Sequence, residues 1–408
     1  MSKKRKNGEG SWGSKVIKGV EYKYYKKQYE GTDKLKYFYG KTEKEIKAKI
    51  KIFEEGLSFI SPVEIKKMYF GDYLSNWLFN VKQLEVKRRT FDGYEDTLKN
   101  QVQKYTDYDI SGKQIGSLTQ DIFQNYYNSL AKKYSKAAIH KNYVIINQCL
   151  NYARIKGDIK ENYLVNITLP SEDNVAIKKK EIPFLPQEDM ELLYNESKRI
   201  NEKGFNFGGK IGQPVYGNNA YGIILIMYTG LRIGELLGLR WQDVDIENKM
   251  LYVKNNLSTI KNRNKKKDSD KNYIREDTTV KTKSGVRSIP LHDRALEMIE
   301  HFNQANPNHK PLDYLIINKE GNVIGQRNIT RTLNAMLTRA KCKIDKCGLH
   351  SIRHSFGSYL ILQGADIKVV SELLGHKDVS VTYNTYVHIL PKQHQSAISL
   401  FDNMNKDK

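Results

Sequence analysis

The stretch AYGIILIMYTGLRIGELLGLRW, residues 220–241, decides how the C-terminal half of the chain folds. Its first ten residues are almost all apolar, which predicts a helix that is buried on every side. Gly230 ends this helix and a second one restarts at once, so the break is expected to carry Arg232 into the interior. Burying an unpaired guanidinium is costly, and Glu235, on the next turn, is the expected partner of Arg232.

The segments around this stretch predict a mostly helical domain with one small sheet, over residues 181–400. KMLYVKN, residues 249–255, has the composition of a strand, and TTVKTKSGVRSIPL, residues 278–291, predicts a strand pair that turns at Ser284-Gly285. The Lys- and Asn-rich residues 255–277 are expected either to contact DNA phosphates or to lie in solvent. Helical spacing of apolar residues predicts helices at residues 187–201, 294–302, 328–340, 349–363 and 367–374.

Two further domains are expected before this one. Residues 68–168 carry repeated apolar stripes at helical spacing, which predicts an all-α bundle with basic edges. Residues 1–60 begin with aromatic and β-branched runs, which predicts two or three short antiparallel strands. Thr42, followed three residues later by Glu45, then marks the start of a helix. A sheet backed by one helix and rich in Lys and Tyr is typical of a small DNA-binding module, and a merely solvated face is the alternative.

The composition indicates a nucleic-acid partner. Lys and Arg number 68 against 46 Asp and Glu, which leaves a net charge of +22 spread along the chain. No apolar run is long enough to span a bilayer and the first ten residues lack the apolar core of a signal peptide, so we expect a cytoplasmic protein with no membrane partner. The cysteines Cys149, Cys342 and Cys347 are too few for a disulfide framework and are expected to be free thiols.

One C-terminal segment groups cationic side chains on a predicted helix. In LHSIRHSFGSYLI, residues 349–361, the spacing places His350, Arg353 and His354 on one face and apolar residues on the other. A solvated polar face is the common alternative for such a pattern.

A second segment, LLGHKDVSVTYNTYVHIL, residues 373–390, carries His376 and, ten positions later, Tyr386. The pKa of an unperturbed phenol is about 10. A tyrosine that attacks anything at neutral pH therefore needs a site that stabilises its oxygen and its target.

Four motifs together resemble one family. TGLRIGELLGLRW, KTKSGVRSIPL, LHSIRHSFGSYL and LLGHKDVSVTYNTYVH follow one another in the order and approximate spacing of the tyrosine recombinase/integrase family. The resemblance extends from residue 70 to about residue 400. It implies a SAM-like core-binding helical domain at residues 68–168 and a catalytic domain at residues 181–400. The extra domain before them, residues 1–60, resembles the N-terminal arm-type DNA-binding module of such integrases.

The same resemblance implies a catalytic set. Its members would be Arg232, Lys281, His350, Arg353, His376 and Tyr386, with Glu235 supporting Arg232. Lys283 remains an alternative to Lys281, because the two lysines have the same parity along a strand. Tyr383 is interpreted as a packing or spacer residue, and His354 and His388 as structural.

The family's chemistry assigns a role to each residue type. Tyr386 would attack the scissile phosphate to give a 3′-phosphotyrosyl protein, while Arg232 and Arg353 bind the non-bridging oxygens. Lys281 would protonate the leaving 5′-oxygen, His350 would assist proton transfer, and His376 would donate a hydrogen bond to the phosphate. No metal ion or other cofactor is expected.

The implied partners are double-stranded DNA, at core-type and arm-type sites, and three further copies of the chain in a homotetramer. Residues 392–404 resemble the tail helix that packs on a neighbouring protomer. An accessory DNA-bending protein and an excisionase are also expected. The extra N-terminal module favours the integrase of a bacterial or phage mobile element over a housekeeping chromosome-dimer resolvase. Two further alternatives are a type IB topoisomerase, which needs no arm-type sites, and a catalytically silent DNA-binding architectural protein, which would have no reason to retain every catalytic residue type.

Overall fold

The computed structural model describes residues 10–17, 20–27, 35–40, 42–55, 62–179, 182–201, 212–265, 267, 270–279 and 285–386. The chain divides into two compact units, Met1–Lys180 and Glu181–Lys408. Both are mostly helical with small antiparallel sheets, which confirms the predicted fold class. The further division of the first unit into two domains stays a prediction.

The first unit begins with a three-stranded antiparallel sheet backed by one helix. The strands β1 (Ser11–Ile17), β2 (Val20–Lys27) and β3 (Lys36–Gly40) lie in that order, and α1 (Glu43–Glu55) follows. The hydroxyl of Thr42 accepts a hydrogen bond from the backbone N–H of Glu45 at 3.2 Å, as its capping position predicts. Phe38 and Ile46 are buried, whereas Tyr37 and Tyr39, which alternate with Phe38, are exposed. One face of the sheet is therefore covered and the other is open.

The rest of the first unit is a helical bundle. Its helices are α2 (Pro62–Lys67), α3 (Phe70–Asn80), α4 (Arg88–Thr97), α5 (Gln120–Ala131) and α6 (Lys136–Lys156). The predicted apolar stripes form its core, where Phe70 and Phe123 meet edge to face at 5.7 Å between ring centroids. The hydroxyl of Thr119 caps the start of α5, and Gly157, at φ 86°, ends α6.

The second unit is built around one buried helix. Its helices are α7 (Gln187–Ser197), α8 (Asn218–Thr229), α9 (Ile233–Gly238), α10 (Asp293–Ala305), α11 (Gln326–Arg339), α12 (Leu349–Leu362), α13 (Ile367–Leu374) and α14 (Val379–Tyr386). As expected, α8 is buried on every side and packs against α7, α10, α11 and α12. Gly230 ends it in the left-handed region at φ 64°, where a side chain would be strained. Helix α7 ends four residues earlier than predicted.

The strands of the second unit form two separate sheets. In one, β4 (Val244–Asp245) and β8 (Arg287–Pro290) lie on either side of β5 (Met250–Val253); in the other, β6 (Asn255–Lys261) pairs with β7 (Tyr273–Thr279). The prediction that residues 278–291 form a strand pair is wrong for its described ends, since residues 278–279 pair with β6 and residues 287–290 with β5. The predicted turn at Ser284-Gly285 and residues 280–283 lie largely outside the described residues. Leu251 and Ile289 are opposite each other and buried, so core packing selects β5 as the partner of β8. The excursion at residues 255–277 is largely the β6–β7 hairpin.

Two findings concern the expectations from composition. Among the described parts of the chain, no helix is long and apolar enough to cross a bilayer. The three cysteines, Cys149, Cys342 and Cys347, are free thiols, as predicted.

Candidate active site

The break between α8 and α9 presents Arg232 to solvent rather than to the core. Arg232 is the N-cap residue of α9, and its Nη1 donates to Glu235 Oε1 at 2.7 Å while its backbone N–H donates to Oε2 at 2.9 Å. Its Nη2 donates to the carbonyl of Gly375 at 3.0 Å. The side chain is 40% exposed, so the prediction that Arg232 is buried is wrong. The extended backbone of a cap position lets the side chain leave the helix that precedes it.

Glu235 is buried and is shared with a second arginine that the sequence analysis did not identify. Arg287, on β8, donates from Nη1 to Oε1 at 3.2 Å and from Nη2 to Oε2 at 2.9 Å. Burial opposes ionisation of Glu235, but the hydrogen bonds and charge of Arg287, with the charge of Arg232, hold its pKa below the ordinary value. A signal was present in the sequence, because Arg287 has the same strand parity as Ile289, which is buried.

Arg353 is a buried cation of the site, with 3% of its side chain exposed. Its Nη1 donates to the carbonyl of Gly230 and its Nη2 to that of Leu374, both at 2.5 Å, and Nη2 also lies 3.2 Å from Nε2 of His376. Its position contradicts a solvated polar face on α12. Burial, together with the charge of Arg232, lowers the pKa of Arg353, yet an arginine stays protonated near neutrality. Arg353 thus joins α12 to the break after α8 and to the end of α13.

The hydrogen bonds of His376 fix its tautomer. Because a guanidinium only donates, Nε2 of His376 accepts from Arg353, and Nδ1 carries the proton and donates to the hydroxyl of Thr382 at 2.7 Å. Burial is the main cause that lowers the pKa of His376, to about 4, and the positive charge of Arg353 is the second. His376 is therefore neutral at pH 7, and the predicted hydrogen bond to a phosphate requires it to give up one of these two partners.

The lowered pKa of His376 predicts a pH dependence of stability. Between pH 6.5 and 4 the unfolded chain binds a proton that the folded chain excludes, so the free energy of unfolding should fall as pH falls through this window. Replacing His376 with Gln should flatten that fall by an amount on the order of 1 kcal/mol, since the ring is only partly buried. Denaturant unfolding of both proteins at pH 7, 6, 5 and 4 measures the difference. Parallel curves for the two proteins would contradict the prediction.

Tyr386 is the last residue of α14 and lies inside a small apolar cluster with Val370 and Leu374. Only 2% of the residue is exposed, and its ring meets that of His354 at 4.8 Å between centroids. Burial raises the pKa of the phenol to about 12, although the nearby charge of Arg353 opposes this. The hydroxyl thus lies near the charge of Arg353 but is neither ionised nor open to solvent.

The position of Tyr386 depends on a glycine. A Cβ placed on Gly357 of α12 would lie 2.3 Å from the Tyr386 oxygen, so Gly357→Ala should displace the ring. Alanine favours a helix by about 1 kcal/mol, but the clash outweighs this, and we expect a net loss of stability of about 1–2 kcal/mol. Thermal unfolding measures it. Gly348→Ala, at the N-cap of the same helix, is the control, because a Cβ there meets nothing within 4 Å; equal effects from both changes would refute the prediction.

The other candidates fall in different places. His350 lies in the first turn of α12 and is exposed; partial desolvation and the charges of Arg353 and Arg232 lower its pKa. His354 is buried, with Nδ1 3.1 Å from the Ser358 hydroxyl. Tyr383 is 49% exposed and so is not a packing residue. Lys281, Lys283, His388 and the predicted tail helix at residues 392–404 lie outside the described residues, so the predictions for them stay predictions.

The arrangement suits phosphate chemistry. Arg232, Glu235, Arg353 and His376 are linked by direct hydrogen bonds or ion pairs, and Tyr386 packs on the helix that carries Arg353. Guanidiniums at the rim and in the floor of one site can hold the oxygens of a phosphodiester. Across the residues that the structure describes, no group of three or more His, Cys, Asp or Glu side chains could hold a metal ion.

Comparisons of sequence agree with this chemistry. Residues 183–393 match the model of the phage integrase family. A tyrosine recombinase XerC-like protein of Caldanaerobacter subterraneus subsp. tengcongensis is 30% identical, over 90% of this chain and 92% of that protein. The integrase of Staphylococcus phage L54a is 23% identical, over 83% of this chain and 94% of the phage protein.

Comparisons of structure show the same fold. The Tn1549 transposon integrase, solved in complex with transposon right end DNA, superposes with a TM-score of 0.60 at 20% identity, covering 78% of this chain and 95% of that one. A lambda integrase dimer bound to a COC′ core site gives a TM-score of 0.53 at 14% identity, covering 94% of this chain and 96% of that one.

Proposed function

The chain belongs to the phage integrase family and is a tyrosine-type site-specific recombinase, and we propose that it is the integrase of a mobile element, which cuts and rejoins DNA through a 3′-phosphotyrosyl intermediate. The observation that carries the proposal is the convergence of Arg232, Arg353 and His376 on the end of α13, beside Tyr386. Two similar proteins support the choice of a mobile element, since one is a phage integrase and the other a transposon integrase.

In the proposed reaction the Tyr386 oxygen attacks the scissile phosphorus, a phosphotyrosyl bond forms, and the bond to the 5′-oxygen breaks. Arg232 and Arg353 bind the non-bridging oxygens, where negative charge increases in the transition state. His350, whose lowered pKa keeps it neutral, accepts the phenol proton. Lys281, or Lys283 in its place, protonates the leaving 5′-oxygen.

The burial of Tyr386 implies a movement before attack. At 2% exposure its oxygen can reach a phosphate only if the end of α14 leaves the apolar cluster. The side chain of Arg353 is only 3% exposed, so it too must be uncovered before it can reach a phosphate oxygen. Binding energy from the rest of the DNA would drive both changes, so cleavage should depend on assembly of the complex and not on the isolated site.

A nicked suicide substrate tests the function. A library of such duplexes should trap an SDS-resistant adduct at the 3′ end of the cleaved strand, and sequencing the attached strands should return one site. Relaxation of a random plasmid at low protein concentration, without paired sites, would instead indicate a type IB topoisomerase. If the wild-type protein forms no adduct on its attachment DNA, the result would instead support a catalytically silent DNA-binding architectural protein.

We further propose that the chain acts as a homotetramer on core-type sites and that its N-terminal sheet binds separate arm-type sites. The open face of that sheet, which we call the aromatic face, carries Tyr24, Lys26, Tyr37 and Tyr39 on adjacent strands. Tyr37 and Tyr39 stack at 5.9 Å between centroids. Lysine among aromatic side chains suits contact with a DNA backbone and groove. Assembly would also use a DNA-bending protein and an excisionase.

The two faces of β2 offer a matched pair for the arm-site prediction. Lys26→Ala, on the aromatic face, should weaken binding to the arm-type site several-fold and reduce the salt slope of that binding by about one. Lys23→Ala is the control, because Lys23 pairs with Glu43 on the covered face. Footprinting of the full chain at several salt concentrations measures both. Equal losses for the two variants, or a loss confined to the core-type site, would contradict the prediction.

A further inference from the structure

We propose that Arg287 is a positioning residue for recombination: it neutralises Glu235 and so leaves the charge of Arg232 available to the scissile phosphate. The inference rests on the proposed function, because it concerns how the same site binds its phosphate. It assigns a task to a buried arginine that is not one of the residues expected to touch the reacting atoms.

The geometry makes Arg287 the principal partner of Glu235. Its two terminal nitrogens contact the two carboxylate oxygens side by side, at 3.2 and 2.9 Å. This fork arrangement is the strongest pairing available to a carboxylate. Arg232 reaches the same two oxygens with one nitrogen of its side chain and with its backbone N–H. The side chain of Arg232 therefore contacts Glu235 through a single nitrogen.

Burial separates the tasks of the two arginines. The side chain of Arg287 is 6% exposed and that of Arg232 is 40% exposed. An ion pair is stronger where water is excluded, so Glu235 interacts more strongly with the buried arginine. An unpaired buried carboxylate would be costly, and Arg287 removes that cost without help from Arg232. Arg232 keeps an outward-facing charge while Glu235 still orients it.

The charges then match those of the reaction. Arg232, Arg287 and Arg353 all lie within ion-pair distance of Glu235, and three guanidiniums against one carboxylate leave an excess of two positive charges. A phosphodiester carries one negative charge and approaches two as the fifth oxygen adds. Without Arg287 the excess would fall to one, and the transition state would lose more stabilisation than the bound substrate.

Arg287 is also held from its other side. Its Nε donates to the carbonyl of Leu373 at 2.6 Å, and its Nη1 lies 3.3 Å from the carbonyl of Gly285. Leu373 lies two residues before Gly375, whose carbonyl accepts a hydrogen bond from Arg232. The same guanidinium thus fixes Glu235 relative to the end of α13, where both phosphate-binding arginines make their backbone contacts.

A double-variant cycle tests the charge argument by single-turnover cleavage of a suicide duplex. Arg287→Gln should slow adduct formation about 10²-fold, because the charge of Glu235 is then neutralised by Arg232, whose own charge is no longer available to the phosphate. The double variant Arg287→Gln with Glu235→Gln removes the unbalanced carboxylate and should cleave at least about tenfold faster than Arg287→Gln alone. A role in folding alone predicts that the double variant is as slow or slower, and that result would overturn the proposal.

Arg287→Lys supplies a second measurement. It keeps the charge but loses the fork, so it should fall between wild type and Arg287→Gln; a rate no higher than that of Arg287→Gln would overturn the proposal. Arg294→Gln is the matched control, since Arg294, on α10, forms a similar forked pair with Glu191, on α7, and its rate should stay close to wild type. If wild type forms no adduct, the proposed function fails and this inference with it; if wild type cleaves and the double variant gains nothing, only the role of Arg287 fails.

Discussion

Replacing Tyr386 with Phe should abolish the covalent adduct, by more than about 10⁴-fold, while leaving DNA affinity within a few-fold of wild type. The ring of residue 386 packs among apolar side chains and against His354, and phenylalanine keeps all of that surface. Only the oxygen that would form the phosphotyrosyl bond is lost. SDS gels of a labelled suicide duplex measure the adduct, and a gel-shift assay measures binding.

Tyr383→Phe is the control for this experiment. Tyr383 lies one turn earlier on α14 and is half exposed, so a solvent-accessible phenol is already present beside the site. Its loss should leave the adduct unchanged. An adduct that persists in Tyr386→Phe and disappears in Tyr383→Phe would move the nucleophile to the exposed tyrosine and would falsify the assignment of Tyr386.

The helices could be predicted from the sequence, because local residue patterns determine them. Nine apolar or near-apolar residues in a row leave α8 no exposed face, and Gly230 is the residue type that ends a helix in the left-handed region. The same holds for the start of α1 at Thr42, where a hydroxyl three residues before a backbone N–H forms the cap. Such features depend on neighbours within about one turn, so the sequence contains the information.

Long-range packing determined what could not be predicted. The partner of β8 is β5, because Ile289 and Leu251 meet over the core, although β7 is nearer in the sequence. The site followed the same division. The family resemblance predicted Arg232, Arg353 and Tyr386 as site residues, but which of these two arginines is buried depends on contacts more than a hundred residues apart, such as that between Arg353 and Gly230.

Arg353→Lys should reduce the rate of cleavage by about 10²–10³-fold and also destabilise the second unit by about 1–3 kcal/mol. The ammonium keeps the charge, but it cannot reach the carbonyls of Gly230 and Leu374 and Nε2 of His376 with the geometry of a planar guanidinium. Buried acceptors are then left without donors. Single-turnover cleavage and denaturant unfolding measure the two effects.

Arg232→Lys separates chemistry from folding, since both arginines are expected to bind the phosphate but only Arg353 is buried. Arg232 is 40% exposed, and its lost contacts to Glu235 and Gly375 can be replaced by water and by Arg287. We therefore expect a similar loss of cleavage with a change in stability below about 1 kcal/mol. If Arg232→Lys destabilises the protein as much as Arg353→Lys does, the buried arginine is not the one that holds the break after α8 to the end of α13. If Arg353→Lys unfolds more easily yet cleaves at the wild-type rate, Arg353 is structural and the phosphate is bound by Arg232 without it.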